Sequence, residues 1–177
     1  MIVLAPLVIL ALLIVSPVAK QRISIGINQI QNYELSNRLT SMGVRMVMWK
    51  NTIQLLKRFE HPVLGYGTNG FETAYKNQVG GQKGWQGEPM YDPHNQYLRI
   101  LVEYGLIGMI LFLLFILSFF RQNIKGHFYI LGIGVLLAWC ATSMFSAHFT
   151  TFGEGRFLMI WCGAMLSEQE QQQQHIH

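Results

Sequence analysis

The residues best suited to chemistry are one histidine and a few arginines in a long polar stretch. His94 lies in Pro89-Met90-Tyr91-Asp92-Pro93-His94-Asn95-Gln96-Tyr97-Leu98, where a polar segment ends and an apolar run begins. Asp92 is a good helix N-cap, and proline is tolerated at the first helical position. The spacing therefore predicts a helix start that places His94 in its first turn. Free backbone N–H groups at such an end, with the helix dipole, make a site for anions. The same positive end favours the neutral imidazole, leaving His94 able to accept a proton. A neutral base beside an anion site, at a membrane surface, is the candidate constellation. A second role fits the same residues, in which His94 only helps to cap the helix or sits at the interface.

The elements that must position this histidine follow from hydrophobic patterning. Met42, Met46, Trp49, Ile53 and Leu56 recur at spacings of three and four, which predicts an amphipathic helix from about Thr40 to His61-Pro62. Thr40 or Ser41 can cap its start. Lys50, Gln54 and Lys57 line another face. Arg45 falls at the margin of the apolar face, within reach of Met42 and Trp49. There it is partly desolvated and calls for an anionic partner. A snorkelling arginine that touches lipid head groups is the alternative. Pro62-Val63-Leu64-Gly65-Tyr66-Gly67-Thr68-Asn69-Gly70-Phe71 carries three glycines, which permit tight turns and close backbone approach. It lacks the Gly-Lys-Ser/Thr ending of a phosphate-binding loop. Residues 77–88 are rich in Gly and Gln and read as a mobile loop. Within it, Trp85 suits a sugar face or a membrane interface equally.

Composition places these elements at a membrane. The 177 residues are 51% hydrophobic and only 12% charged, against about 25% charged in soluble domains. Ten of the thirteen Lys and Arg lie between Lys20 and Arg99. A basic region of this kind suits phosphate, diphosphate or lipid head groups. Nucleic acid is disfavoured, because the region is tethered between apolar segments. Cys140 and Cys162 both fall in apolar runs and read as small buried hydrophobes.

The expected architecture is an all-α polytopic membrane protein. About four transmembrane helices are expected, at residues 1–19, 98–120, 127–147 and 150–166. A large, partly helical loop over residues 20–97 lies between the first and second. Along the second span, Asn95, Arg99 and Glu103 follow at four-residue spacing, and beyond Tyr104 the run is purely apolar. These polar groups belong to the head-group layer or a cavity there. In the turn 148–156, between the third and fourth segments, Glu154 and Arg156 are expected to pair. Residues 167–177 are polar and Gln-rich and read as a disordered tail. Arg121 and Lys125 put their short turn in the cytoplasm, which puts 20–97 on the other side. The abrupt apolar start suggests that further helices belong to a preceding segment or a second polypeptide.

Taken in order, these pieces resemble a known superfamily. Arg45 with Trp49, then Pro62 to Gly67, then Pro93-His94-Asn95-Gln96-Tyr97-Leu98, then Glu103-Tyr104-Gly105-Leu106-Ile107-Gly108 is similar to the O-antigen ligase and polymerase superfamily in residues, order and spacing. The resemblance covers about 39–120, and the Asp-Pro-His-Asn form is closer to the ligase branch. It implies a multi-pass glycosyltransferase of the bacterial inner membrane, with the large loop in the periplasm. The donor would be a glycan linked through diphosphate to a polyprenyl lipid, and the acceptor a sugar hydroxyl of the lipid A core. Polymerase and protein O-oligosaccharyltransferase activities are the alternatives within the superfamily. A scaffold subunit of an envelope complex is the non-enzymatic one.

The resemblance carries the functional arginine onto Arg45 and the functional histidine onto His94. On this reading Arg45 and the helix start hold the diphosphate, and His94 takes the acceptor's proton. Asn95 orients His94 or binds a sugar hydroxyl, and Arg38 and Arg99 are further phosphate contacts. No cofactor and no metal are called for.

Overall fold

The computed structural model describes residues 16–32, 40–58, 60–121, 127–161 and 164. These residues are helical or irregular, with no strand among them. Two compact units divide the chain at Met48 and Trp49. Most of residues 1–19, the whole tail 167–177 and Arg38 lie outside the described residues.

In the first unit, helix α1 spans Pro17–Gln31. Ser16 caps it by accepting the Ala19 N–H, and Pro17 occupies the first helical position. Helix α2, Ser41–Lys57, begins in this unit and continues into the second. Thr40 accepts the Gly43 N–H at 3.0 Å, as a cap should. These bounds agree with the periodicity of the apolar residues.

The second unit contains the elements around His94. Helix α3, Gly70–Val79, buries Phe71, Ala74, Tyr75 and Val79. Residues 77–88 are thus not one open loop: a helix runs through Val79, and Gly84–Gly87 form a 3-10 turn. Asn51 of α2 donates to the Tyr75 hydroxyl at 3.2 Å and accepts from Gln82 at 3.1 Å. Burial pushes the Tyr75 hydroxyl pKa up, and the Asn51 hydrogen bond partly offsets it.

Helix α4, Gln96–Phe120, is apolar and long enough to cross a membrane. Among the described residues it alone meets both conditions. The sequence pattern suggested a continuous span, but the helix breaks at Gly105, where φ is 63° and ψ −158°. Helix α5 spans His127–Thr142, and residues 152–161 form α6. Phe119, Leu136 and Leu158 form a buried cluster, with Phe115, Ile133 and Trp139 packed against it. This cluster joins α4, α5 and α6.

The break at Gly105 has a specific cause. A helix break strands carbonyls before it and N–H groups after it. Here the segment Pro62–Gly67 supplies the missing partners. Tyr66 N–H donates to the Val102 carbonyl at 2.9 Å, and Gly67 N–H to that of Glu103 at 2.8 Å. In return, Leu106 N–H donates to Pro62 at 2.9 Å and Ile107 N–H to Val63 at 3.2 Å. Two backbones cross at contact distance, and both crossing points are glycine. A Cβ on Gly65 would collide with the Glu103 and Tyr104 backbone, and one on Gly105 with the Val63 backbone.

Candidate active site

His94 sits on a short strap, 91–95, that leads into α4. The structure corrects the expected helix start. Asn95 is the N-cap, with its side chain accepting the Leu98 N–H at 3.0 Å, and the first helical residue is Gln96. His94 therefore precedes the helix. Asp92 does not cap it. Its Oδ1 instead accepts the His94 N–H at 2.7 Å, a local turn that Asp readily forms. The expected anion site at the helix start is also partly filled by the chain itself. Gln96 N–H donates to the Ser143 carbonyl at 2.9 Å, while Leu98 N–H is taken by Asn95.

The strap is held along its length. The Trp49 indole donates to the Pro93 carbonyl at 2.9 Å, and Pro93 is buried. The Asn95 side-chain amide donates to the Met144 carbonyl at 3.1 Å. Gln96, buried, accepts the Phe149 N–H at 3.0 Å through its side chain. The turn 143–151 is thereby tied to the strap. Asn95 thus spends its polar atoms on the cap and the Met144 carbonyl.

His94 itself differs from its neighbours. Its φ is +48°, in the left-handed region, and its side chain is exposed. A non-glycine residue in that region carries a conformational cost, and one held there by its surroundings often marks a functional position. Among the described residues, no group hydrogen-bonds its imidazole. The strap is pinned, and it presents the His94 imidazole free, beside the exposed Tyr91 ring.

Arg99 is placed one helical turn beyond Asn95. Its Nε lies 3.3 Å from Glu103 Oε1, and its Nη1 lies 3.6 Å from Asp92 Oδ2 and 3.3 Å from Thr150 Oγ1. Glu103 is 1% exposed, so its charge requires such a partner. Arg99 is therefore engaged internally. Arg45, in the first unit, is not paired in this way. Its Nη1 donates to Ser41 Oγ at 2.7 Å, but its Nε is buried without a hydrogen-bond partner. No carboxylate pairs with Arg45 among the described residues.

The expected Glu154–Arg156 pair does not form. Residues two apart on a helix point away from each other. Glu154 instead meets His148 Nδ1 at 2.6 Å, and the Arg156 guanidinium lies 3.3 Å over the Phe152 ring. Patterning gives no signal for the Trp49 bond to Pro93, which joins residues 44 apart, or for the Asp92 bond to His94, which belongs to a local turn.

Beside the strap, an open apolar groove of about 530 Å³ follows Ile100, Tyr104, Gly108 and Leu111 down α4. Gln96 and Thr150 supply polar groups in its lining.

Residues 1–113 match the sequence profile of the family described as O-antigen ligase. An uncharacterised protein of Haemophilus influenzae is 35% identical over 98 residues, covering 53% of this chain and 24% of that protein. A Rickettsia conorii protein named as a candidate polysaccharide ligase is 32% identical over 103 residues, with the same coverage of each. The chain spans about a quarter of the length of these relatives.

Proposed function

The chain belongs to the O-antigen ligase family, and from that premise we propose that it carries the base and one anion-binding arginine of a membrane glycosyltransferase. The proposed reaction moves a glycan from a polyprenyl diphosphate onto a sugar hydroxyl of the lipid A core. Family and apolar helix together describe an integral membrane protein, and the proposed location is the bacterial inner membrane. The proposed topology has about four spans, with residues 20–97 facing the periplasm. Helices from a preceding segment or a second polypeptide would complete the enzyme.

The observation that carries this reading is His94, exposed and unbonded on a strap that Asp92 and Asn95 hold through hydrogen bonds. In the proposed step the acceptor hydroxyl oxygen attacks the anomeric carbon of the donor. The bond from that carbon to the diphosphate oxygen breaks, and its electron pair leaves with the diphosphate. His94 takes the hydroxyl proton as general base. Attack from the face opposite the leaving group inverts the anomeric centre. Arg45, with its unpaired buried Nε, offers the charge that stabilises the leaving diphosphate. The groove along α4 suits the hydrocarbon chain of the donor, being apolar along its length and polar at Gln96 and Thr150.

The test is a lipopolysaccharide gel from the native host, comparing wild type with chromosomal His94→Ala and Arg45→Ala at equal membrane levels of the protein. Ligase function predicts core lipid without glycan, with full-length polymer retained on the polyprenyl carrier. The arginine variant should lose transfer by roughly 10²–10³-fold. Core bearing a single repeat unit would identify a polymerase instead. An unchanged ladder would sink both assignments for this glycan.

A further inference from the structure

Arg99 has the charge of a phosphate contact, yet its guanidinium faces inward to two carboxylates. The two carboxylates do different things. Glu103 is buried at the Gly105 break, and its carbonyl accepts the Gly67 N–H of the crossing segment. Asp92 is partly exposed. One of its oxygens faces Arg99, and the other accepts the His94 N–H. A continuous chain thus runs from the rigid crossing through Glu103, Arg99 and Asp92 to the histidine backbone.

We infer that Arg99 is a positioning residue, which orients the Asp92 carboxylate and thereby holds His94 in its left-handed conformation. The inference rests on the reading of His94 as the base. A carboxylate on a partly exposed strap rotates freely unless one oxygen is fixed, and pairing one oxygen with Arg99 aims the other at the His94 N–H. Left-handed backbone costs a non-glycine residue about 1–2 kcal/mol, so this bond to a charged acceptor is what opposes relaxation. The neighbours cannot absorb the change. The Pro93 carbonyl is pinned by Trp49, and the Asn95 amide by Met144. Losing the Asp92 bond therefore acts on the φ and ψ of His94 alone and swings the imidazole away from where it is presented.

The experiment combines two readouts on the protein in its native membrane. The first is amide hydrogen exchange of the peptide covering 91–97. Arg99→Gln and Asp92→Ala should each speed exchange of the His94 amide by roughly tenfold, as for loss of a charge-assisted hydrogen bond. Asp92→Asn keeps an acceptor oxygen and should restore most of the protection. The second readout is transferred glycan at equal membrane levels of protein. A misplaced base should cost about 10²-fold, and Asp92→Ala with Arg99→Gln together should cost no more than either alone. Additive losses would mean that Arg99 contacts substrate directly and would overturn the inference. So would an unchanged exchange rate in Arg99→Gln. If His94→Ala leaves transfer intact, the catalytic reading fails, and the exchange arm still decides whether Arg99 positions the strap.

Discussion

Two of the regions with left-handed backbone use it differently. At the crossing of Pro62–Gly67 over α4 the residues are Gly65, Gly67 and Gly105. On the strap before α4 the residue is His94. At the crossing, glycine removes the steric cost, and the gain is backbone hydrogen bonding across a broken helix. On the strap the cost remains, and what is gained is an exposed imidazole. Glycine at a left-handed position reports on architecture. A histidine held there, with its neighbours pinned, reports on use.

The largest expected effect tests the architectural half. Gly105→Ala should destabilise the protein by on the order of 4 kcal/mol, because that backbone region is essentially closed to side chains and a Cβ would meet the Val63 backbone. Failure to accumulate in membranes is the expected outcome. Normal accumulation with an unchanged thermal midpoint would mean that the crossing is not packed as described.

This region also shows what could be read beforehand. Gly65, Gly67 and Gly105 stood out as permitting close approach or as parts of a family pattern, but nothing local says that they meet. Their meeting depends on pairing between residues some forty apart, which periodicity does not encode. The amphipathic helix over 41–57 was legible because its apolar spacing is local. The start of α4 was not. Asp92-Pro93 is a valid cap signal, yet Asn95 wins because Ser143 and Met144 supply carbonyls to Gln96 and Asn95. His94 was singled out for a place inside the helix. The structure puts it just before the helix, exposed, where the backbone rather than the dipole distinguishes it.

Next in size is the cap between the two regions. Asn95→Ala removes the acceptor for Leu98 N–H and the donor to Met144, and should cost about 2 kcal/mol. Thermal unfolding followed by tryptophan fluorescence in detergent would report it. Because the same change loosens the strap, transfer should fall as well. A stability loss with full activity would show that His94 does not need the strap to be rigid.

The functional half is tested by giving the strap the residue that the crossing uses. His94→Gly removes the left-handed penalty, so stability should rise by roughly 0.5–1 kcal/mol while transfer is abolished. Opposite signs in stability and activity are the expected signature of strain kept for function. A variant that is both less stable and inactive would instead make His94 a structural residue.

The smallest effect is the control. Among the described residues, Asn69 is the other non-glycine residue with left-handed backbone, at φ 62°, and it precedes α3 without a side-chain capping bond. Asparagine tolerates this region with little cost, and glycine at a helix N-cap differs from it by only a few tenths of a kcal/mol. Asn69→Gly should therefore shift stability by less than about 0.5 kcal/mol and leave transfer unchanged. The comparison with His94→Gly isolates the imidazole, since both changes relax the same kind of backbone and only one removes a titratable group. If Asn69→Gly also abolished transfer, loosening a left-handed turn anywhere near α4 would suffice to explain the loss. The case for His94 as the base would then need the side chain tested by another route, such as His94→Asn, which tolerates the backbone and cannot take the proton.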